Sequence, residues 1–182
     1  MTSPDPVAQA AAYQASLLAE LGDDDPAEVQ AATPAAMRSL LADAGSDVRT
    51  RPMAGEWSAL ECLGHLTDGE LVVSGRYRWI IAEETPRIVA YDQALWVDHL
   101  RHRDDDAEGL IAAFEALRRA NLALWARFGA THGDRIGMHD ERGPESYDLT
   151  FRLAAGHDRL HLAQARRALE GVRSGTAGSG QR

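Results

Sequence analysis

Apolar residues recur at helical spacing along most of this chain, in stretches separated by Gly, Pro and acidic breaks. This pattern predicts a first helix over Pro6–Leu21, which ends at the acidic turn GDDDP. A second helix is predicted over Thr33–Ala44, where a capping Thr33 precedes Pro34. Because Pro26 and Pro34 both interrupt this region, we predict a broken first arm rather than one straight helix.

The clearest helix start is at Ser58. Ser58 and Glu61 have the S-x-x-E spacing of a capping box, directly before a periodic apolar run. That run predicts a long helix with one buried stripe, which ends near Glu84 and carries Ala59, Cys62, Leu66, Val73, Tyr77 and Ile80. The segment DQALWVDHLRH, from Asp92, predicts a short helix in the connection that follows.

Two further long helices are predicted in the second half of the chain. One follows the aspartates at 104–106, whose charges suit a helix N-terminus, and closes at Gly129. After a loop over 131–145, Ser146 caps a last helix that runs to Gly171. Because no segment shows the alternation of a strand, we predict an all-α four-helix bundle with a short extra helix in the connection.

Composition supports one globular domain. The chain has 182 residues, of which 45% are hydrophobic and 26% charged, so a full hydrophobic core is expected over residues 1–172. The Gly- and Ser-rich end, residues 173–182, is predicted to be a disordered tail. The chain lacks an apolar run of membrane-spanning length, and MTSPDPVAQA does not resemble a secretory signal, so we expect a cytoplasmic protein.

Charge narrows the range of partners. The formal net charge is −9, which argues against nucleic acid and against anionic membranes and leaves a small-molecule substrate as the expected partner. All 19 basic residues are arginine, so chemistry through a lysine Schiff base is excluded. The single cysteine, Cys62, is predicted to be a small core residue rather than a nucleophile.

The last helix carries the segment HDRLH, which contains His157 and His161. Four residues apart on a helix, their imidazoles project from one face and can share a metal ion. Apolar neighbours on that face predict that both rings point inward, where a metal would satisfy their nitrogens. HDRLH also resembles the H-E-x-x-H of metalloproteases, but Asp158 stands where the catalytic glutamate is required, so we disfavour a protease.

His65, on the capped helix, is the candidate third ligand. Alone it would more often be a core histidine, but with the HDRLH pair it completes a set of three imidazoles. Three protein ligands leave one coordination position open, as in catalytic zinc sites. His99 and His102 are also helically spaced, but they lie among arginines and aspartates and are predicted to occupy a solvated face.

Two segments, GEWSALECLGHLTDGE and GHDRLHLAQARRAL, resemble the DinB-like superfamily, and the resemblance spans about Tyr13 to Val172. It implies an up-down-down-up four-helix bundle that is often dimeric, so a homodimer is expected. It also implies a metal ion held by three histidines, which match His65, His157 and His161. Characterised members include transferases and isomerases that use thiols such as mycothiol, bacillithiol or glutathione.

Three functions follow as hypotheses. The first is a thiol S-transferase that uses a divalent metal, Zn²⁺ or Ni²⁺, and a low-molecular-weight thiol as cosubstrate. The second is a non-catalytic, dimeric metal-binding protein of the stress response, and the third is a metal-dependent hydrolase, for which the sequence offers no clear base. A cavity with converging Arg or Trp side chains would favour an enzyme, whereas tight packing would favour a structural metal.

Further residues have weaker claims to the site. Asp68 and Gln164 each lie one turn from a candidate ligand and could orient it, or could be solvated. The mouth of a substrate pocket could be lined by Arg76, Arg78, Asp92 and Trp96, where a guanidinium would bind a substrate carboxylate. For Trp96, core packing is the favoured interpretation, and His139 could approach the site or face solvent.

Overall fold

The computed structural model describes residues 6–179, and the side chains of residues 10–175. The helices are α1 (Pro6–Leu21), α2 (Pro26–Ala42), α3 (Ala59–Ala82), α4 (Gln93–His99), α5 (Ala107–His132) and α6 (Tyr147–Ser179). The strands are β1 (Arg87–Ile88), β2 (Ile136–His139) and β3 (Gly143–Ser146). None of the described helices combines the length and the apolar character needed to cross a membrane.

Four helices form the bundle that the sequence predicts. Helices α2 and α3 lie diagonally opposite each other, and each packs against both α5 and α6. Helix α1 packs on the outside of α6, at a very close approach. A Cβ built on Gly156 would lie 1.9 Å from the carbonyl oxygen of Leu17, so only glycine permits this contact.

The predicted capping box is confirmed at the start of α3, the helix that carries His65. The Ser58 backbone N–H donates to Glu61 Oε2 at 2.8 Å, and the Glu61 N–H donates to Ser58 Oγ at 3.2 Å. Ser146 likewise caps α6, since its Oγ accepts from the Leu149 N–H at 3.0 Å. The short connecting helix is also confirmed, as α4.

The prediction of a break at Pro34 is wrong. The chain breaks earlier, at the turn before Pro26, and Pro34 lies buried inside α2. Proline has no N–H to donate to the carbonyl four residues before it, here that of Gln30. Arg118 Nη1 donates to that carbonyl at 2.8 Å, so a side chain from α5 replaces the missing helical hydrogen bond.

Two predicted helix ends are too early. Helix α5 continues past Gly129 to His132. Helix α6 continues past Gly171 to Ser179, so the tail predicted from Arg173 is helical over its described part, and residues 180–182 lie outside the described residues. A glycine inside a long helix lowers its stability but does not end the helix when the flanking residues remain helical. For this reason Gly129 and Gly171 do not mark the helix ends that were predicted from them.

The prediction that the chain has no strands is also wrong. A three-stranded sheet forms in the order β1-β2-β3, with β1 parallel to β2 and β2 antiparallel to β3. Gly143 begins β3 with a φ of 76°, a conformation that favours glycine. Strand β2 does alternate between exposed and buried residues, but over four residues the pattern is too short to stand out from a loop.

Candidate metal centre

His65 on α3 meets His157 and His161 on α6 inside the bundle. One ligand nitrogen from each ring lies within 4.8 Å of the others, the one such group of three or more potential ligands among the described residues. The Nε2 atoms of His65 and His157 are 2.9 Å apart. The structure therefore brings together the three histidines that the sequence singled out, from two separate helices.

Burial keeps these imidazoles neutral. It lowers the pKa of His65 to about 3, with smaller contributions from His161 and His102. It also places the pKa of His157 well below its ordinary value and lowers that of His161. Neutral imidazole is the form that binds a metal, so at neutral pH the rings do not first have to lose the proton of a charged imidazolium. The donor set therefore fits a divalent cation.

Two neighbours orient the rings. His161 Nδ1 lies 2.8 Å from Gln164 Oε1, an acceptor, so Nδ1 carries the proton and Nε2 is left with its lone pair. This places Gln164 where the sequence analysis expected an orienting residue. Trp57 covers the cluster, with its ring centroid 5.0 Å from that of His65 and 5.9 Å from that of His161.

A cavity of about 70 Å³ adjoins the cluster through His157. A Cβ built on Gly69 would lie 3.7 Å from His157 Cε1 and 3.9 Å from the Tyr91 hydroxyl, so this glycine leaves space between the two side chains. The other lining residues combine two arginines with polar and apolar groups: Tyr13, Gln14, Leu17, Val72, Val73, Arg76, Gln93, Arg142, Thr150, Leu153 and Ala154. The cavity is therefore placed to receive a small molecule beside the histidines.

Of the residues predicted for the pocket mouth, Arg76 lines the cavity and the others do not. Asp92 caps α4, accepting from the Leu95 N–H at 2.9 Å. Trp96 packs on Tyr91, with ring centroids 4.6 Å apart, and so supports the cavity wall from outside. Arg78 binds the Ser74 carbonyl and the Asn121 side chain, towards α5. The prediction is wrong for these three residues. Arg78 lies two residues after Arg76 on α3 and so points to a different face of the helix, whereas the directions of Asp92 and Trp96 are set by the connection after α3.

Asp68 was expected to orient His65, but it does not do so. Its Oδ2 lies 2.7 Å from His102 Nε2, and the other ring nitrogen of His102 lies 2.7 Å from Asp105 Oδ2. His102 is buried, so its predicted place on a solvated face is wrong, whereas His99 is exposed as predicted. The ring approaches α3 at Gly64, where a Cβ would lie 2.3 Å from His102 Cγ.

Asp158, which follows His157, faces a different network. It forms an ion pair with Arg118, whose Nη2 also donates to Glu70 Oε2 at 2.8 Å. All three side chains are buried. Asp158 therefore takes part in a buried ion network and not in the histidine cluster. This position gives no support to a protease, the function that the sequence disfavoured. Cys62 is a core residue, as predicted, and burial raises the pKa of its thiol to about 12.

Arg142, Tyr13 and Tyr91 line the cavity although no sequence pattern predicts them there. Arg142 lies in the turn between β2 and β3, and Tyr13 lies on α1, so neither shares a helix with the histidines. The only local signal is the loop rich in Gly, Asp and His around His139, a residue for which the sequence allows either a place near the site or an exposed one. His139 is in fact buried, next to Arg142.

The fold and the cluster together define a four-helix bundle with a candidate three-histidine metal centre. The family model of the DinB superfamily matches residues 27–165. The chain therefore belongs to the DinB superfamily, as its two motif segments suggested.

Known proteins show the same likeness. Two proteins of Oceanobacillus iheyensis, each named "Putative metal-dependent hydrolase", are similar to this chain. The first is 26% identical over a match that covers 71% of this chain and 76% of the relative. The second is 24% identical over a match that covers 63% of this chain and 66% of the relative. The structure of YfiT from Bacillus subtilis, described as "a probable metal-dependent hydrolase with an unusual four-helix bundle topology", superposes with a TM-score of 0.75. It is 22% identical and covers 82% of this chain and 86% of its own, which confirms the bundle fold.

Proposed function

We propose that this protein is a metal-dependent transferase that joins a low-molecular-weight thiol to a small electrophile. The observation that carries the proposal is the cavity that opens on His157 and is lined by Arg76 and Arg142. A structural metal would be closed off by packing, whereas this cluster borders space for a ligand. Residues of the cavity would bind the electrophile, and the three histidines would hold Zn²⁺ or Ni²⁺.

When bound, a divalent cation supplies a Lewis-acid centre that favours the deprotonated form of a thiol or of water at neutral pH. In the transfer, the thiol sulfur forms a bond to an electrophilic carbon, the bond from that carbon to its leaving group breaks, and the thiol proton passes to solvent. Gln164 holds His161 in the ligating tautomer, and Trp57 screens the cluster from water.

The surroundings of the cluster favour a thiol over water as nucleophile. In the described part of the chain no carboxylate is hydrogen-bonded to the three histidines, because Asp158 pairs with Arg118 and Asp68 pairs with His102. Asp158 and Asp68 are therefore not free to act as a general base for water. A thiol ionises with an ordinary pKa of about 8.5, against about 15.7 for water, and so needs far less assistance.

A metal-dependent hydrolase is the second candidate, because the names of the two Oceanobacillus relatives and the description of YfiT point to hydrolysis. It would use the same three histidines, with water in place of the thiol. The third hypothesis, a non-catalytic metal-binding homodimer, predicts metal binding without turnover.

The first experiment measures metal content by mass spectrometry on tag-free protein. His65→Ala, His157→Ala and His161→Ala are compared with the parent and with His99→Ala, which removes an exposed histidine. We expect about one metal ion per chain, lost in the three variants and kept in the control. A parent that takes up no zinc or nickel on reconstitution would overturn the metal centre.

The metal-loaded protein is then incubated with chloro- and epoxide-type electrophiles, with and without a thiol such as glutathione or cysteine. Product formation that needs both thiol and metal supports the transferase. Turnover that needs metal but no thiol identifies a hydrolase instead. Full metal occupancy with neither activity favours the binding protein, and light scattering then tests the predicted homodimer.

A further inference from the structure

Arg76 is a buried cation without a counter-charge. Arg76 is 6% exposed. Its side chain makes one hydrogen bond to the described residues, in which Nη2 donates to the carbonyl of Val89 at 3.1 Å. Its Nε–H has no acceptor, and no carboxylate of the described residues forms an ion pair with it. Burying a guanidinium in this state is costly, so the site lacks an anionic partner.

Arg142, the second arginine of the cavity, is already neutralised. Its Nη2 donates to Glu145 Oε2 at 2.9 Å, and Glu145 also accepts from Gln14 Nε2 at 2.7 Å. Glu145 is buried and its position is fixed by both contacts. The charges around the cavity therefore sum to one uncompensated positive charge, that of Arg76.

A second buried donor lies close by, on β2. His139 Nδ1 accepts from the backbone N–H groups of Glu141 and Arg142, at 3.2 and 3.3 Å, so the proton of the neutral ring is on Nε2. His139 is 3% exposed, and this Nε2–H has no acceptor among the described residues. Burial, Arg142 and Arg76 lower the pKa of His139 to about 4, so the ring is a neutral donor at pH 7.

We propose that the cavity beside His157 binds the carboxylate of a small organic acid, with the Arg76 guanidinium as its counter-charge. This proposal rests on the proposed function and names the class of its substrate. The substrate is an electrophile with a carboxylate at one end and its reacting group towards the histidines. Val72, Val73 and Leu153 line the same cavity and would contact a short aliphatic chain.

One uncompensated positive charge matches a carboxylate better than a dianion. Inorganic phosphate carries more charge and accepts hydrogen bonds on all sides, whereas a carboxylate presents two oxygens to the planar guanidinium. Glu145, which lies behind Arg142 and Gln14 of the cavity wall, adds to this preference, because its carboxylate repels a dianion more strongly than a monoanion.

The test titrates butyrate into the metal-free protein and follows binding by calorimetry and ligand-observed NMR, with butyramide as the uncharged isostere. Butyrate is expected to bind at least about tenfold more tightly than butyramide, and it should also bind more tightly than inorganic phosphate. Arg76→Gln should weaken butyrate binding about tenfold or more. Arg152→Gln, which removes an exposed arginine from α6, should leave it unchanged.

Glu145→Gln guards against a loss of binding that merely reflects misfolding. It removes the negative charge that neutralises Arg142, so it should tighten butyrate binding, which an unfolded variant cannot do. Equal binding of butyrate and butyramide, or an Arg76→Gln variant that binds butyrate like the parent, would show that Arg76 is not the counter-charge of a carboxylate and would overturn the proposal. Phosphate binding tighter than butyrate would overturn the carboxylate assignment.

Because these titrations need no metal, the two proposals fail separately. Arg76-dependent butyrate binding in a protein that never takes up metal would leave the carboxylate subsite standing and remove the metal centre. Metal bound by the three histidines without carboxylate binding would leave the metal centre standing and remove the carboxylate subsite.

Discussion

The Nε2 atoms of His65 and His157 lie 2.9 Å apart, although the two residues are on different helices and are separated by most of the bundle's sequence. Between two neutral rings this contact holds one proton, which one nitrogen donates and the other accepts. A cation shared by the two rings would satisfy both lone pairs at once. The same pair therefore links the packing of α3 on α6 to the candidate metal site.

The neutral state of the cluster predicts how the metal-free protein responds to acid. Burial lowers the pKa of His65 to about 3, whereas the unfolded histidine titrates near 6.5. Between these values the unfolded chain binds more protons, so the free energy of unfolding falls as the pH falls below about 6.5, by about 1.4 kcal/mol per pH unit for one histidine.

Urea unfolding at pH 6.5, 5.8 and 5.2 measures this slope, with His65→Gln as the comparison. We expect the variant to lose less stability over this range than the parent. Parallel slopes for parent and variant would show that His65 titrates alike in both states and would contradict its burial as a neutral ring.

Gln164 is predicted to support metal binding through its contact with His161 Nδ1. Gln164→Leu removes the acceptor and should lower metal affinity about 10- to 100-fold, the usual effect of losing an outer partner of a ligating histidine. Gln164→Glu offers a carboxylate acceptor instead and should retain the affinity. Competition with a chromophoric chelator measures both variants, and a leucine variant that binds like the parent would remove Gln164 from the site.

The pairing of Asp68 with His102 predicts the opposite pH dependence. Burial lowers the pKa of His102, but the hydrogen bonds that its ring donates to Asp105 and Asp68 raise it, and the net shift is upward. Its stabilising contribution is therefore complete below about pH 6.5 and is lost as the pH rises through the folded pKa.

We expect Asp68→Asn to lower the free energy of unfolding by about 2 kcal/mol at pH 6 and by less at pH 9. Asp134→Asn, which removes an exposed carboxylate, serves as the control and should change little at either pH. Denaturant titrations at the two pH values make the comparison. An equal loss from Asp68→Asn at both would mean that His102 is not protonated in the folded protein.

Two glycines of α3 are predicted to respond in opposite ways to alanine. A Cβ on Gly64 would lie 2.3 Å from His102 Cγ, so Gly64→Ala should cost about 1–3 kcal/mol through overpacking. A Cβ on Gly69 meets ordinary contacts at 3.7 and 3.9 Å, so Gly69→Ala should gain about 0.5–1 kcal/mol from helix propensity. Urea midpoints test the sign of each change, and a stabilising Gly64→Ala would show that His102 does not pack against α3.

The buried network around Arg118 should be intolerant of losing its cation. Arg118→Leu leaves the carboxylates of Glu70 and Asp158 buried and unpaired, which should cost about 3–5 kcal/mol. The neighbouring Arg119 is exposed, so Arg119→Leu should stay within about 0.5 kcal/mol of the parent. Thermal and urea unfolding of the two variants compare them directly, and similar stabilities would contradict the burial of this ion network.

Local signals in the sequence were enough to predict the bundle and the candidate ligands. The capping box at Ser58, the periodic apolar stripe and the four-residue spacing of His157 and His161 all act within one or two helical turns. Because a helix sets the direction of its side chains, such spacing also predicts which residues share a face. His65 was the candidate third ligand because it lies beside the buried stripe of the capped helix, and the resemblance to a known family pointed to the same residue.

Contacts between distant segments were decided by the tertiary structure alone. The pairing of Asp68 with His102, the meeting of Arg76 with Arg142 and the sheet formed by β1 and β2 each join segments whose separation in sequence carries no periodic signal. Pro34 makes the same point, since its helix continues because Arg118 supplies a distant donor. Helix caps and helix faces depend on neighbouring residues, whereas cavities and buried ion pairs depend on which surfaces the folded chain brings together.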